Sequence, residues 1–146
     1  LKAGVDPLDL LPLDAIYISH AHTDHLDPES LLRLWRTWPT RPPILLPESL
    51  KYLEDIFRSY LEDVELVFLR DRQPIVLRGA QVRGFFNPEY AATNEDDVMV
   101  FVVSTEREVF LAEADAVLPF YDPEAREMVS ELFSEYSFLT TKFAGF

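Results

Sequence analysis

Residues 15–28 read Ala15-Ile16-Tyr17-Ile18-Ser19-His20-Ala21-His22-Thr23-Asp24-His25-Leu26-Asp27-Pro28. The first five, rich in β-branched and aromatic side chains, predict a short buried strand. Asp27 and Pro28 predict a helix start, with Asp27 as N-cap and Pro28 at the first helical position. Between them lie all three histidines of the chain. Along an extended strand end, side chains at 20, 22 and 24 project to the same side, and His25 follows at the turn. Three imidazoles and a carboxylate in one short loop form a donor set for a divalent cation. Zinc suits nitrogen and oxygen ligands of this kind, and iron and manganese accept them too. His20, His22, Asp24 and His25 are therefore the candidate metal ligands.

Working outward, the helix that begins at Pro28 carries Leu31, Leu32, Leu34 and Trp35 on an apolar face and extends to about Trp38. The Pro39–Pro43 stretch ends it. Ile44–Leu46 reads as the next strand, and Pro47-Glu48-Ser49 opens a second helix reaching to about Tyr60. Strand, helix, strand, helix points to an α/β layer. The following runs, Val64–Leu69, Pro74–Leu77, Ala80–Phe86, Val98–Ser104 and Glu108–Ala112, predict five strands in a largely antiparallel arrangement. A third helix is expected from Asp122 to about Ser134, with Met128, Val129, Leu132 and Phe133 apolar, and a last strand at Ser137–Thr141. No repeat or long linker divides the chain, so one domain over 1–146 is expected. Trp35, Trp38 and Tyr52 fall at helical spacing and are read as core or helix-packing residues with no role in chemistry.

The 146 residues suffice for one domain, and a 48% hydrophobic, 13% aromatic composition is that of a chain with a core. The opening residues, Leu1 to Ala15, lack the basic start and apolar run of a signal peptide, and they resemble the interior of a longer chain. No stretch approaches the roughly 20 apolar residues of a membrane span. Cysteine is absent. Disulfides and thiolate metal sites are thereby excluded, in keeping with a reducing, cytoplasmic location. A net charge of −13 argues against a nucleic-acid partner, which basic patches would be needed to bind. Four glycines leave no Gly-rich phosphate loop, and with every histidine in one cluster no separate Ser-His-Asp triad is available.

His20-x-His22-x-Asp24-His25 after an apolar strand resembles the metal-binding motif of the metallo-β-lactamase superfamily. Within it, Asp24-His25-Leu26 followed by Pro28-Glu29-Ser30-Leu31, and the closing Phe143-Ala144-Gly145, look like the ascorbate-phosphate lactonase-like branch and the catalytic part of CMP-N-acetylneuraminate hydroxylases. The resemblance spans roughly Ala15 to Gly145. It implies an αββα sandwich, incomplete at the N-terminus and at the C-terminus, with metals at one edge between two sheets. It further implies that His20 and His22 bind a first metal and that Asp24 and His25 bind a second. A carboxylate after a later strand bridges the two in the family. Here Val109–Ala112 is that strand, Asp115 matches the bridging position by the Pro119 that follows, and Glu113 is the alternative nearer the strand end. The family's further histidine, in the stretch corresponding to Gly84–Glu89, is missing, and Asn87 takes the nearest slot.

The activity implied is metal-dependent hydrolysis of a small ester, lactone or phosphoester. A bound divalent metal lowers the pKa of water from about 15.7 towards ~7, and Asp24 is the catalytic residue that holds the second metal and orients the nucleophile. Two other readings stay open: an iron-dependent oxygenase-like member of the same fold, and a non-catalytic domain with a degenerate metal site. The expected partner is a small-molecule substrate, with no nucleic acid and no membrane. The remainder of a parent chain or an oligomeric partner is expected to complete the site.

Overall fold

Two strand–helix–strand units order the first half of the chain. The computed structural model describes residues 12–86, 99–112, 127 and 139–142. β1 (Ile16–Tyr17) is followed by α1 (Pro28–Thr37) and β2 (Ile44–Pro47). A 3-10 segment (Glu48–Leu53) and α2 (Glu54–Tyr60) then lead to β3 (Leu66–Leu69). The three strands form one parallel sheet in the order β1-β2-β3. A helix between consecutive strands carries the chain back to the starting end, so the next strand runs in the same direction.

That geometry corrects one expectation. Val64–Leu69 does not join the antiparallel run. Its strand pairs parallel to β2, with Ile44 opposite Leu66 and Pro47 opposite Leu69, because α2 precedes it. The second helix also begins later than the sequence suggests. Pro47 is the last residue of β2, and residues 48–53 wind as 3-10 with no side-chain cap at their start. Such tight turns often open a helix whose first N–H groups lack a capping side chain.

The remaining strands, β4 (Ile75–Leu77), β5 (Ala80–Phe86), β6 (Met99–Ser104), β7 (Val109–Ala112) and β8 (Leu139–Lys142), form a five-stranded sheet in sequential order. β4 through β7 are antiparallel, as expected, while β8 lies parallel to β7. The predicted helix at 122–134 lies outside the described residues except for Glu127, which is helical.

Side-chain alternation divides the core into layers. On the parallel sheet, Ile16, Ile18, Ile44, Leu46, Leu66 and Phe68 face the helices, where they meet Trp35, Leu50, Phe57 and Leu61. Tyr17, Leu45, Val67 and Leu69 face the other way and pack on Val82, Met99, Phe101 and Val103 of the second sheet. β2 is thus buried on both faces, which accounts for its unbroken apolar run. On the far face of the second sheet Phe85, Val100, Val102, Val109 and Leu111 are buried as well. The parallel sheet thus lies between the helices and the second sheet, which is the α/β two-sheet stack expected of the described residues. Trp35 and Trp38 are core residues. Tyr52, read with them as a packing residue, is instead exposed. No helix of the described residues is long and apolar enough to cross a membrane.

Candidate metal centre

The loop from Ile18 to Asp27 leaves the carboxyl end of β1, the edge of a parallel sheet at which α/β proteins place their sites. Ile18 N–H donates to the Leu45 carbonyl at 3.1 Å, so the strand pairing runs up to the residue before Ser19. Beyond it the chain turns tightly. The N–H groups of His25 and Leu26 both donate to the His22 carbonyl, at 3.0 and 2.7 Å. α1 then fixes the far end. The Asp27 carboxylate accepts from the N–H groups of Glu29 and Ser30 and from the Ser30 hydroxyl. That hydroxyl first, and the two N–H groups after it, hold the Asp27 carboxyl below the ordinary carboxylate range.

Held at both ends, the loop brings the three imidazoles together. His20 is buried, His25 half-buried and His22 exposed. His20 Nε2 lies 3.1 Å from His22 Nδ1. The His20 ring is 4.2 Å from that of His25, centroid to centroid. Asp24 Oδ2 lies 3.7 Å from His25 Nε2, on a side chain that is 75% exposed. Tetrahedral zinc with nitrogens at 2.0–2.1 Å sets neighbouring donors about 3.3 Å apart. The His20–His22 pair has that spacing and fits two ligands of one ion. Among the described residues no set of three or more His, Asp or Glu side chains is arranged to hold a metal ion. Asp115, its alternative Glu113, and Asn87 lie outside the described residues.

Ser19 is a member of this site that the sequence reading leaves unremarked. Its Oγ is 2.8 Å from His20 Nδ1, with both residues buried. In the sequence it is only the end of the Ala15–Ser19 strand run. The available signal is a small hydroxyl residue directly before a candidate ligand, where a ring nitrogen needs a partner.

No protein-family profile matches the sequence, and none of the curated proteins matches it. Solved structures do. A point mutant of the CmlA β-hydroxylase superposes with a TM-score of 0.64 at 22% identity, over 82% of this chain and 24% of that one. CmlA itself, described as a diiron β-hydroxylase from Streptomyces venezuelae, gives 0.61 at 22% identity, over 82% of this chain and 23% of that one. YhfI from Bacillus subtilis, described as a metallo-β-lactamase fold protein, gives 0.51 at 16% identity, over 68% of this chain and 39% of that one. The chain thus spans about a quarter of CmlA and two fifths of YhfI. Two stacked sheets, a helical layer on the parallel one and these superpositions together establish the metallo-β-lactamase fold.

Proposed function

We propose that this chain carries part of the active site of a metal-dependent hydrolase acting on a small ester, lactone or phosphoester. The observation that supports it is the 3.1 Å approach of His20 Nε2 to His22 Nδ1 at the carboxyl end of β1. In this reading His20 and His22 would hold a first metal, Asp24 and His25 would hold a second, and Asp115 would be a ligand shared by both. Zinc is the metal that best suits the all-nitrogen-and-oxygen set, with iron or manganese as substitutes. A divalent metal held there would supply hydroxide at neutral pH and Lewis-acid polarisation of the scissile group. Asp24 orients the nucleophile, and its exposure leaves room for a substrate beside it. Ligands missing from the set come from the remainder of a longer chain or from an oligomeric partner. The acidic composition and the lack of cysteine favour a cytoplasmic enzyme of small molecules over one acting on nucleic acid.

A second reading is favoured by the likeness to CmlA, described as a diiron hydroxylase. In that case the same ligands serve iron and oxygen chemistry. Metal analysis of protein purified from its own host separates the two: zinc supports the hydrolase, iron the oxygenase. The site itself is tested by zinc titration of the chain and of His22→Ala. We expect the substitution to weaken binding at least tenfold, because it removes one of two paired donors. Equal binding by both proteins removes the assignment of this loop, and an intact parent protein that holds no metal in any form supports a non-catalytic member of the fold.

A further inference from the structure

We propose that Ser19 is a positioning residue of this centre, accepting the Nδ1 proton of His20 and so fixing Nε2 as the atom that faces a metal. The inference rests on the metal-binding reading above. A neutral imidazole has one N–H and one lone pair, and the partner of one nitrogen decides the role of the other. For His20 the two nitrogens have different neighbours. Nδ1 lies 2.8 Å from Ser19 Oγ, and Nε2 lies 3.1 Å from His22 Nδ1. With the proton on Nδ1 and donated to Ser19, the Nε2 lone pair points at the gap between the two histidines. With the proton on Nε2, that gap holds an N–H, and His20 cannot ligate from it.

Three features make the hydroxyl effective. His20 is 2% exposed and Ser19 5%, so water does not readily replace the bond. The Ile18–Leu45 pairing anchors Ser19 to the sheet immediately before it, which limits its movement. Between the two histidines, His22 is the exposed one, and for both facing nitrogens to serve as ligands its own proton must sit on Nε2. His20 is held, and His22 adapts. Ligating histidines are generally oriented in this way through the nitrogen that does not bind metal, and removal of such a partner costs about 10–100-fold in affinity.

The test compares Ser19→Val, Ser19→Ala and Ser19→Thr in the full chain, with circular dichroism to confirm folding. Long-range ¹H–¹⁵N correlations on the metal-free proteins report which His20 nitrogen carries the proton. We expect Nδ1–H in the wild type and in Ser19→Thr, and a shift towards Nε2–H in Ser19→Val and Ser19→Ala. Zinc titration should show affinity about 10–100-fold weaker in the two variants without a hydroxyl, and Ser19→Thr close to the wild type. Nε2–H in the wild type, or unchanged tautomer and affinity in folded Ser19→Val, overturns the proposal while leaving the metal reading intact. A wild-type chain that binds no zinc, iron or manganese overturns the metal reading itself.

Discussion

Gly84, in the middle of β5, lies on the face that meets the parallel sheet, beside the side chain of Met99 on β6. A Cβ at this position runs into Met99 Sδ, Cγ and Cε together, and Met99 is fully buried, so its thioether has no solvent to move into. Gly84→Ala should therefore destabilise the protein by about 1–3 kcal/mol, the usual cost of overpacking. Denaturant unfolding measures it. Shortening the obstructing side chain tests the cause. Met99→Val in the Gly84→Ala background should cost less than it does alone, since the two positions share one volume and their effects are coupled. Strict additivity of the two changes would show that the glycine is needed for another reason. A glycine within a strand pattern is visible in the sequence, but the atom that presses on it is not, because Met99 comes from a different strand.

At the scale of the element, α1 was the most legible part of the chain. Asp27 and Pro28 mark its start, Pro39 its end, and the observed helix runs Pro28–Thr37 with Asp27 as the N-cap. The cap carries a pH signature. Because the Ser30 hydroxyl and the backbone N–H groups favour the charged form, the folded pKa of Asp27 lies below its unfolded value. The contribution is then fully present above the unfolded carboxylate pKa of about 3.9 and is lost as pH falls through the lower folded value. Asp27→Asn, which can still cap, should flatten this acid limb, while Asp27→Ala should lower the Tm by a few degrees at neutral pH. Thermal scans of the three proteins from neutral to acidic pH check both outcomes. β3 shows the opposite case. Its apolar residues were plain in the sequence, but its direction was set by the helix before it, and a single strand carries no record of which neighbour it will pair with. The site divides along the same line. The histidine loop is local in sequence and could be read, whereas the role of Ser19 depends on how the strand end turns.

Across the whole molecule, the two sheets are joined where neither sequence run announces it. Tyr17 of β1 stacks on Phe101 of β6, with ring centroids 4.1 Å apart and planes 12° from parallel, and its hydroxyl donates to the Met99 carbonyl. As a residue Tyr17 is only half-buried, but its hydroxyl sits between the sheets, and this burial pushes the phenol well above its ordinary pKa. The sign follows from linkage. A raised folded pKa means that the contribution is complete below the unfolded value of about 10 and is lost as pH rises, because the unfolded chain releases the proton first. One such group contributes a slope of up to about 1.4 kcal/mol per pH unit above pH ~10. Tyr17→Phe keeps the stack and removes both the hydrogen bond and the proton. It should cost about 1 kcal/mol at neutral pH and make the alkaline decline shallower. Denaturant unfolding between neutral pH and pH ~11 measures both effects, with the fluorescence of the two buried tryptophans, Trp35 and Trp38, as the signal. An alkaline slope identical in the two proteins would mean that the Tyr17 hydroxyl is not held between the sheets, and that its contribution to their joining is the stack on Phe101 within the apolar contact between them.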